Sequence, residues 1–487
     1  MNRFQILCLI LPTWISAAAL TISPTEAGQV KSLVGSSSDL SSLAIDGPIS
    51  YADLKYIAGL ENLQSLDLSK AEIAVFRAND EYYPENVIPS GIFAGARFTQ
   101  FEFPATSRLI VEDAAFAGAA IEELFIPETV ASVGEGAFAG SAVKTVTLNG
   151  STDFGTSVFA DCTALDNVSL GGLSTLPARM FAGCTALTAV NGAENVTAIG
   201  DRAFRGDAAL ASFEFGAALK SVGTEAFAGA GLEVADLSQA SALTSLAPRV
   251  FAHNAALTYA AFAPAMKDLG EGVFFGCSSL AKVDAQVTEI PDYAYVNDTS
   301  LDIASAYTPA TATIGSYALK GMDQVVQLNL YPALEHIGDH AMQGMTGLES
   351  IDARELTAVP ALGENVWDGV RQDLVKLYAL GDLADDFETT AQWQDFDIVK
   401  LSTTLTIDSE AVKTVSAHFD GSDIVIRSAH SPIAEAVLYD TAGTLLTRIA
   451  AGTTTVTIET SQWTNRIYIV GVTLADDTRA TSKLIRK

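Results

Sequence analysis

One short motif constrains this chain more than any other feature: a large, mostly aromatic residue, one further residue, then a glycine or a close conformational substitute. It occurs thirteen times, anchored at Phe93, Phe116, Phe138, Phe159, Phe181, Phe204, Phe227, Phe251, Phe274, Tyr295, Leu319, Met342 and Trp367, at intervals of 21 to 25 residues. A period of that size marks a chain built from one supersecondary unit stacked on copies of itself. Such a unit cannot bury its large apolar residues alone, so its neighbours must cover them. The 487 residues exceed what one compact core usually holds, and an array that grows sideways accommodates them.

The residue two after the anchor is Gly in ten repeats, and Asp161, His253 and Asn297 in the others. Those are the types that best tolerate positive φ, so all thirteen read as left-handed turn residues. Five to eight residues after the anchor comes a run with alternating apolar positions, as in Leu124/Ile126, Val146/Leu148, Val168/Leu170, Phe213/Phe215 and Leu328/Leu330. Each such run predicts one strand. Val133-Gly134, Ile199-Gly200, Val222-Gly223, Ile314-Gly315 and Ile337-Gly338 predict a second bend in each unit. The period lies within the roughly 20 to 29 residues of leucine-rich repeats. The expected fold is therefore a β-rich solenoid, a leucine-rich-repeat array with one parallel sheet.

The ends and the charge narrow the class further. Residues 1–19 carry Arg3, an apolar run from Phe4 to Ile15, and a small-residue cleavage signature at Ala17-x-Ala19, which reads as a secretory signal peptide. No later segment reaches the apolar length of a membrane span. A net charge of -30, spread along the chain, opposes nucleic-acid partners. Beyond the leader only Cys162, Cys184 and Cys277 remain, all three residues after an anchor, where other repeats carry Ala96, Ser141, Ala230 or Met322. They are expected as small core residues, a bridge between Cys162 and Cys184 on adjacent repeats being the alternative.

The segments FAGCTAL (181–187), FADCTAL (159–165) and FFGCSSL (274–280) resemble the BspA-like leucine-rich-repeat proteins of bacterial surfaces. The stretches at 51–73 and 81–96 look like that family's N-terminal region and first full repeat. The closing stretch with Trp393, Phe396 and Ile398 resembles its last repeat, which must cover an exposed edge. The likeness covers roughly residues 40–400. It implies a role in adhesion, coaggregation, biofilm formation or host-cell binding, with an internalin-like role as the nearest analogy.

From about Val412 the period stops, and short β-like runs at Ile424–Ile426, Ala436–Tyr439, Thr455–Ile458 and Ile467–Val472 predict a small C-terminal β-sandwich. LYDTAGTLL (438–446), IYIVGV (467–472) and KLIRK (483–487) resemble the type IX secretion sorting domain of some Gram-negative bacteria. The chain departs from that pattern in carrying Asn465, Arg466 and Ile467 before Tyr468, where the family places a Gly next to the Tyr. The resemblance implies interaction with type IX secretion machinery through residues 413–487, removal of that segment after export, and a mature protein held on the outer surface of a Gram-negative bacterium. A permanent adhesive β-domain is the other reading. The expected layout is signal peptide 1–19, N-terminal cap region 20–80, solenoid of about thirteen repeats 81–400, linker 401–412 and sandwich 413–487.

Catalytic signatures are sparse. His336 and His340 stand four apart without the Glu and helix of zinc proteases, and His253 falls in the turn position. The glycines around Gly134-Glu135-Gly136 and Gly270-Glu271-Gly272 share one repeat phase and serve as structural punctuation. No metal, no cofactor and no enzymatic activity are expected. Candidate binding residues are the outward strand positions: Phe125, Thr145, Thr147, Asn167, Ser169, Asn191, Glu214, Asp236, Tyr259, Asp284, Asn329, Asp352 and Tyr378. Short hydrogen-bonding groups with three aromatics suit a protein or glycan partner on a host or bacterial surface. A solvated sheet face is the alternative for each of them, since strands alternate polar-out whatever their function. For the whole chain, a structural surface-layer protein without a discrete ligand is the second reading and an unrecognised hydrolase the third.

Overall fold

A computed structural model describes residues 19–35, 39–78, 81–401, 415–420, 423–429, 431–440, 444–461, 463, 467–476 and 479–485. The leader apart from Ala19, the linker apart from Leu401, and Asn465 and Arg466 lie outside the described residues. Contacts divide the chain into two compact units: Met1–Ala379 with Asp385–Val399, and Leu380–Ala384 with Lys400–Lys487.

In the first unit every anchor is buried, none more than 2% exposed. From Phe93 to Tyr295 ten rings stand in single file, successive centroids 5.0 to 6.0 Å apart and planes within 26° of parallel. The residue two after each anchor has φ between 59° and 82°, Asp161, His253 and Asn297 included. This turn is itself bonded to its neighbour: Phe116 N–H donates to the Ala137 carbonyl at 2.7 Å, and Gly118 N–H to that of Ala139 at 2.8 Å.

A second left-handed column lies two residues before every anchor, with φ from 49° to 61°. Glycine fills it only at Gly91, Gly136 and Gly272; Ala114, Ser157, Arg179, Arg202, Glu225, Arg249, Tyr293, Tyr317, His340 and Asn365 fill the rest. The strain of a non-glycine residue there is offset by the hydrogen bonds that hold the turn to its neighbours.

The strand that follows the anchor forms at eleven of the thirteen repeats. It builds parallel runs such as Glu123–Phe125, Thr145–Thr147, Asn167–Ser169 and Ala189–Asn191 in unbroken register. Ala19–Ile22, Ser42–Ile49 and Ser65–Ile73 precede them in parallel. The exceptions follow Phe204 and Tyr295. The expected strand at Phe213/Phe215 is an unpaired run whose rings pack inward on Phe227 at 5.0 and 5.3 Å, and after Tyr295 the helical turn Ile303–Ala306 takes the strand's place.

The β-rich solenoid is thus present, and it carries a second column of strands beside the one parallel sheet expected. Pairs such as Val130–Val133 with Asp153–Phe154, Ala198–Ile199 with Ser221–Val222, and Thr313–Ile314 with His336–Ile337 run parallel just before the second bend. The glycines of that bend serve close approach rather than a left-handed backbone. A Cβ on Gly134, Gly200, Gly223, Gly315 or Gly338 would come within 2.4 to 2.6 Å of the preceding turn. At the array's end Trp393 is fully buried, its indole N–H donating to the Pro360 carbonyl at 3.0 Å, with Trp367, Phe387 and Phe396 against it.

The second unit is a β-sandwich. One antiparallel sheet holds Val415–Asp420, Asp423–Ser428 and Thr455–Ile458; the other orders Leu445–Thr453, Ile433–Tyr439, Ile467–Leu474 and Arg479–Ile485. Ile424, Ile426, Ile433, Leu438, Tyr468 and Val470 meet in its core.

Candidate functional site

The short strands after the anchors bury their central residue and leave both neighbours facing out, as the period of two requires. Leu124, Val146 and Val168 are buried, while the flanking residues make two outward columns. One column carries Phe125, Thr147, Ser169 and Asn191 in register; the other carries Glu123, Thr145, Asn167 and Ala189. Phe125 is 59% exposed, a large apolar group on an otherwise polar surface. Around it lies an open depression of about 370 Å³ lined by Gln100, Glu102, Glu122, Glu123, Thr145 and Thr147. Asn191 donates to Asn167 Oδ1 at 3.0 Å, so this ladder is partly self-satisfied.

A second group joins Asp236, Tyr259 and Asp284 on the run Val234–Leu237, Tyr259–Phe262, Lys282–Asp284. The Tyr259 hydroxyl donates to Asp284 Oδ2 at 2.5 Å, and the Lys282 ammonium to the same oxygen at 3.0 Å. Hydrogen bonds from Lys282 and Tyr259 hold the Asp284 carboxyl below its ordinary range, and the same bond to Asp284 raises the Tyr259 phenol. A third group aligns Asn329, Asp352 and Tyr378 in one column. There Arg354 grips Asp352 with two bonds, at 2.9 and 2.6 Å, and its hydrogen bonding lowers the Asp352 carboxyl. Glu214 stands apart from all three groups, on the run that forms no strand.

All thirteen candidates are exposed or half-buried, and twelve fall into these three groups. Sequence reasoning passed over Gln100, Glu102, Glu123, Lys282, Gln327, Ser350 and Lys376, which occupy the same outward phase. Glu102 is paired across the ladder with Asp67, and partial burial followed by that like charge raises its carboxyl. The alternation that exposed Thr145 would have found them.

Among the described residues no three His, Cys, Asp or Glu side chains gather as a metal site, and no helix is long and apolar enough to cross a membrane. His253 and His340 both hold left-handed turn positions, and Cys162, Cys184 and Cys277 are free and buried.

Comparison with known proteins agrees with this architecture. The BspA type leucine rich repeat region matches in six copies over residues 86–208, 174–302 and 288–368, together more than half of the chain. The chain belongs to the BspA-type leucine-rich-repeat family. A leucine-rich repeat protein of Bacteroides ovatus is similar in structure, with TM-score 0.55 and 22% identity over 68% of this chain and 90% of that one. A leucine rich cell surface protein of Faecalibacterium prausnitzii is similar at TM-score 0.35, with 18% identity over 59% of this chain and 86% of that one. The pneumococcal vaccine antigen PcpA is similar at TM-score 0.27, with 12% identity over 74% and 80% of the two chains. No curated protein sequence matches this BspA-type chain significantly.

Proposed function

We propose that this BspA-type chain is a non-enzymatic adhesin of the bacterial outer surface, internalin-like in using the outward face of its solenoid sheet to bind a protein or glycan partner. The observation that carries this reading is Phe125. An aromatic side chain 59% exposed, held on a strand paired in register and ringed by glutamate, glutamine and threonine side chains, has the make-up of an interface anchor. Residues 1–19 serve as the export leader, and the C-terminal sandwich serves as a type IX sorting module whose removal leaves the solenoid on the surface of a Gram-negative cell. Adhesion, coaggregation and biofilm formation are the processes such a face supports.

Cells lacking the gene are expected to lose attachment or coaggregation, and cells carrying Phe125→Ala to lose it in part while displaying normal amounts of protein. Unchanged attachment in the deletion strain sinks the adhesin reading. Mass spectrometry of the surface form separately tests the sorting role: a C-terminus near residue 412 is expected, whereas recovery of Lys487 points to a permanent adhesive domain.

A further inference from the structure

The position three residues after each anchor forms an internal column of buried side chains, Ala96, Ala119, Ser141, Cys162, Cys184, Asp207, Ala230, Asn254, Cys277, Asp298, Met322 and Met345 among them. At Cys162, Cys184, Asn254 and Cys277 the side chain donates to the carbonyl of the preceding repeat's anchor, whereas the Ser141 hydroxyl lies 3.3 Å from the Cys162 sulfur. The thiols of Cys162, Cys184 and Cys277 lie 3.1, 3.2 and 3.1 Å from the carbonyl oxygens of Phe138, Phe159 and Phe251. The Asn254 amide nitrogen lies 2.7 Å from the Phe227 oxygen and 2.8 Å from that of Phe251, while its Oδ1 accepts from Leu232 N–H at 3.0 Å.

Asp207 and Asp298 stand in this same column, both 0% exposed. Asp207 Oδ1 accepts from Cys184 N–H at 2.9 Å, much as the Asn254 oxygen is used, but Oδ2 has no partner. Neither oxygen of Asp298 is hydrogen-bonded, only the Cys277 amide facing it. A carboxylate would leave a charged oxygen unpaired at positions where Cys162, Cys184, Asn254 and Cys277 present a donor. No charge compensates. The titratable groups that face them are Cys184 for Asp207, and Cys277 and Tyr295 for Asp298, with no Lys, Arg or His acting on either.

A second, independent observation falls on the same two repeats. Only the anchors Phe204 and Tyr295 lack a following strand, and only their repeats carry Asp in the inner column. At the second interruption side chains stand in for ladder partners: Val283 N–H donates to Ser305 Oγ at 3.1 Å, and Tyr331 N–H to the Tyr307 hydroxyl at 3.2 Å. These repeats are seams with fewer backbone bonds than their neighbours.

We propose that Asp207 and Asp298 are held as neutral carboxylic acids, each donating its proton to an anchor carbonyl, and that loss of this proton opens the array at two seams. Burial pushes Asp207 up to about 8 and Asp298 up to about 9. In the unfolded chain both ionise near about 4, so the folded state binds protons that the unfolded state has released. The stability owed to the neutral acids is complete below about pH 4, and is lost as pH rises through the folded values of about 8 and about 9. These two seams are therefore held more tightly in acid and loosen in alkali.

Hydrogen exchange of the full chain, read by mass spectrometry at about pH 6 and about pH 9.5 and corrected for intrinsic rates, tests this. Segments spanning Ala189–Asn191, Val234–Leu237, Lys282–Asp284 and Gln327–Asn329 are expected to lose protection at least ~10-fold at the higher pH, while Thr145–Ser169 stays within ~2-fold. Asp207→Asn with Asp298→Asn should retain protection at both pH values, since Asn254 shows that the column accepts an amide. Asn254→Asp should create a third sensitive place, at Tyr259–Phe262. A pH response unchanged in the double variant, a uniform loss along the array, or a pH-indifferent Asn254→Asp chain would each overturn the proposal.

Discussion

Truncating Phe181 to Ala removes one plate from the middle of the ring file. The side chain is 0% exposed, and its ring sits 5.7 Å from that of Phe159 and 5.5 Å from that of Phe204, with planes 7° and 18° apart. Neighbouring turns are pinned by strand and turn hydrogen bonds, so the slot cannot collapse, and the full cost of about 3 to 5 kcal/mol for a buried phenylalanine is expected. The two ring contacts, about 0.5 to 1.5 kcal/mol each, fall within that figure. If the first unit unfolds as one body, its entropy of unfolding is on the order of 0.8 kcal/mol/K, so a loss of about 4 kcal/mol lowers the melting midpoint by about 5 °C. Calorimetry measures the shift, and hydrogen exchange should place the largest loss of protection in the turns that hold Phe159 and Phe204, because each repeat leans only on its neighbours. Phe125→Ala is the internal control, since a surface change of this kind costs about 0.5 kcal/mol or less. A Phe181→Ala midpoint equal to that of Phe125→Ala would refute the claim that the ring file carries the array's stability.

Two further outcomes follow from the backbone and the thiols. Gly134→Ala places a Cβ 2.6 Å from the Asp113 backbone nitrogen and should destabilise by several kcal/mol, whereas Gly118→Ala meets nothing within 4 Å and suffers only its left-handed φ of 68°, about 1 kcal/mol; equal urea midpoints for the two variants would contradict this. Reductant should leave the melting midpoint unmoved, because Cys162, Cys184 and Cys277 are free; a drop of several degrees would point to a bridge in the native chain.

How far the fold could be read in advance depended on how narrowly physics restricts each position. A residue that must be both large and dry leaves few choices, and the left-handed turn two residues on is Gly in ten repeats and Asp, His or Asn in the other three, so anchors such as Phe181 and turns such as Gly183 stood out at once. The second strand column stayed hidden because pairs such as Ala198–Ile199 are too short to show alternation. The interruption after Phe204 stayed hidden for the opposite reason: Phe213 and Phe215 alternate like any strand, and only their packing on Phe227 reveals that the run has turned inward. Among the candidate binding residues, exposure followed from alternation, but neighbourhood did not. That Tyr259, Lys282 and Asp284 form one hydrogen-bonded group depends on a register set by repeat length, and that Glu102 lies beside Asp67 depends on an insertion of unusual length between the two strands.

The left-handed column ahead of the anchors behaves like a row of numbered pegs. Its pitch comes from backbone bonds rather than from what hangs on it, so side chains as unlike as Ser157, Arg202 and Tyr317 occupy equivalent stations. Flat groups placed on consecutive pegs must lie face to face, and Tyr293, Tyr317 and His340 do so, with centroids 5.1 and 4.8 Å apart and planes within 5°. A chain of this kind can rewrite its outer lettering one station at a time without disturbing the file of rings beneath.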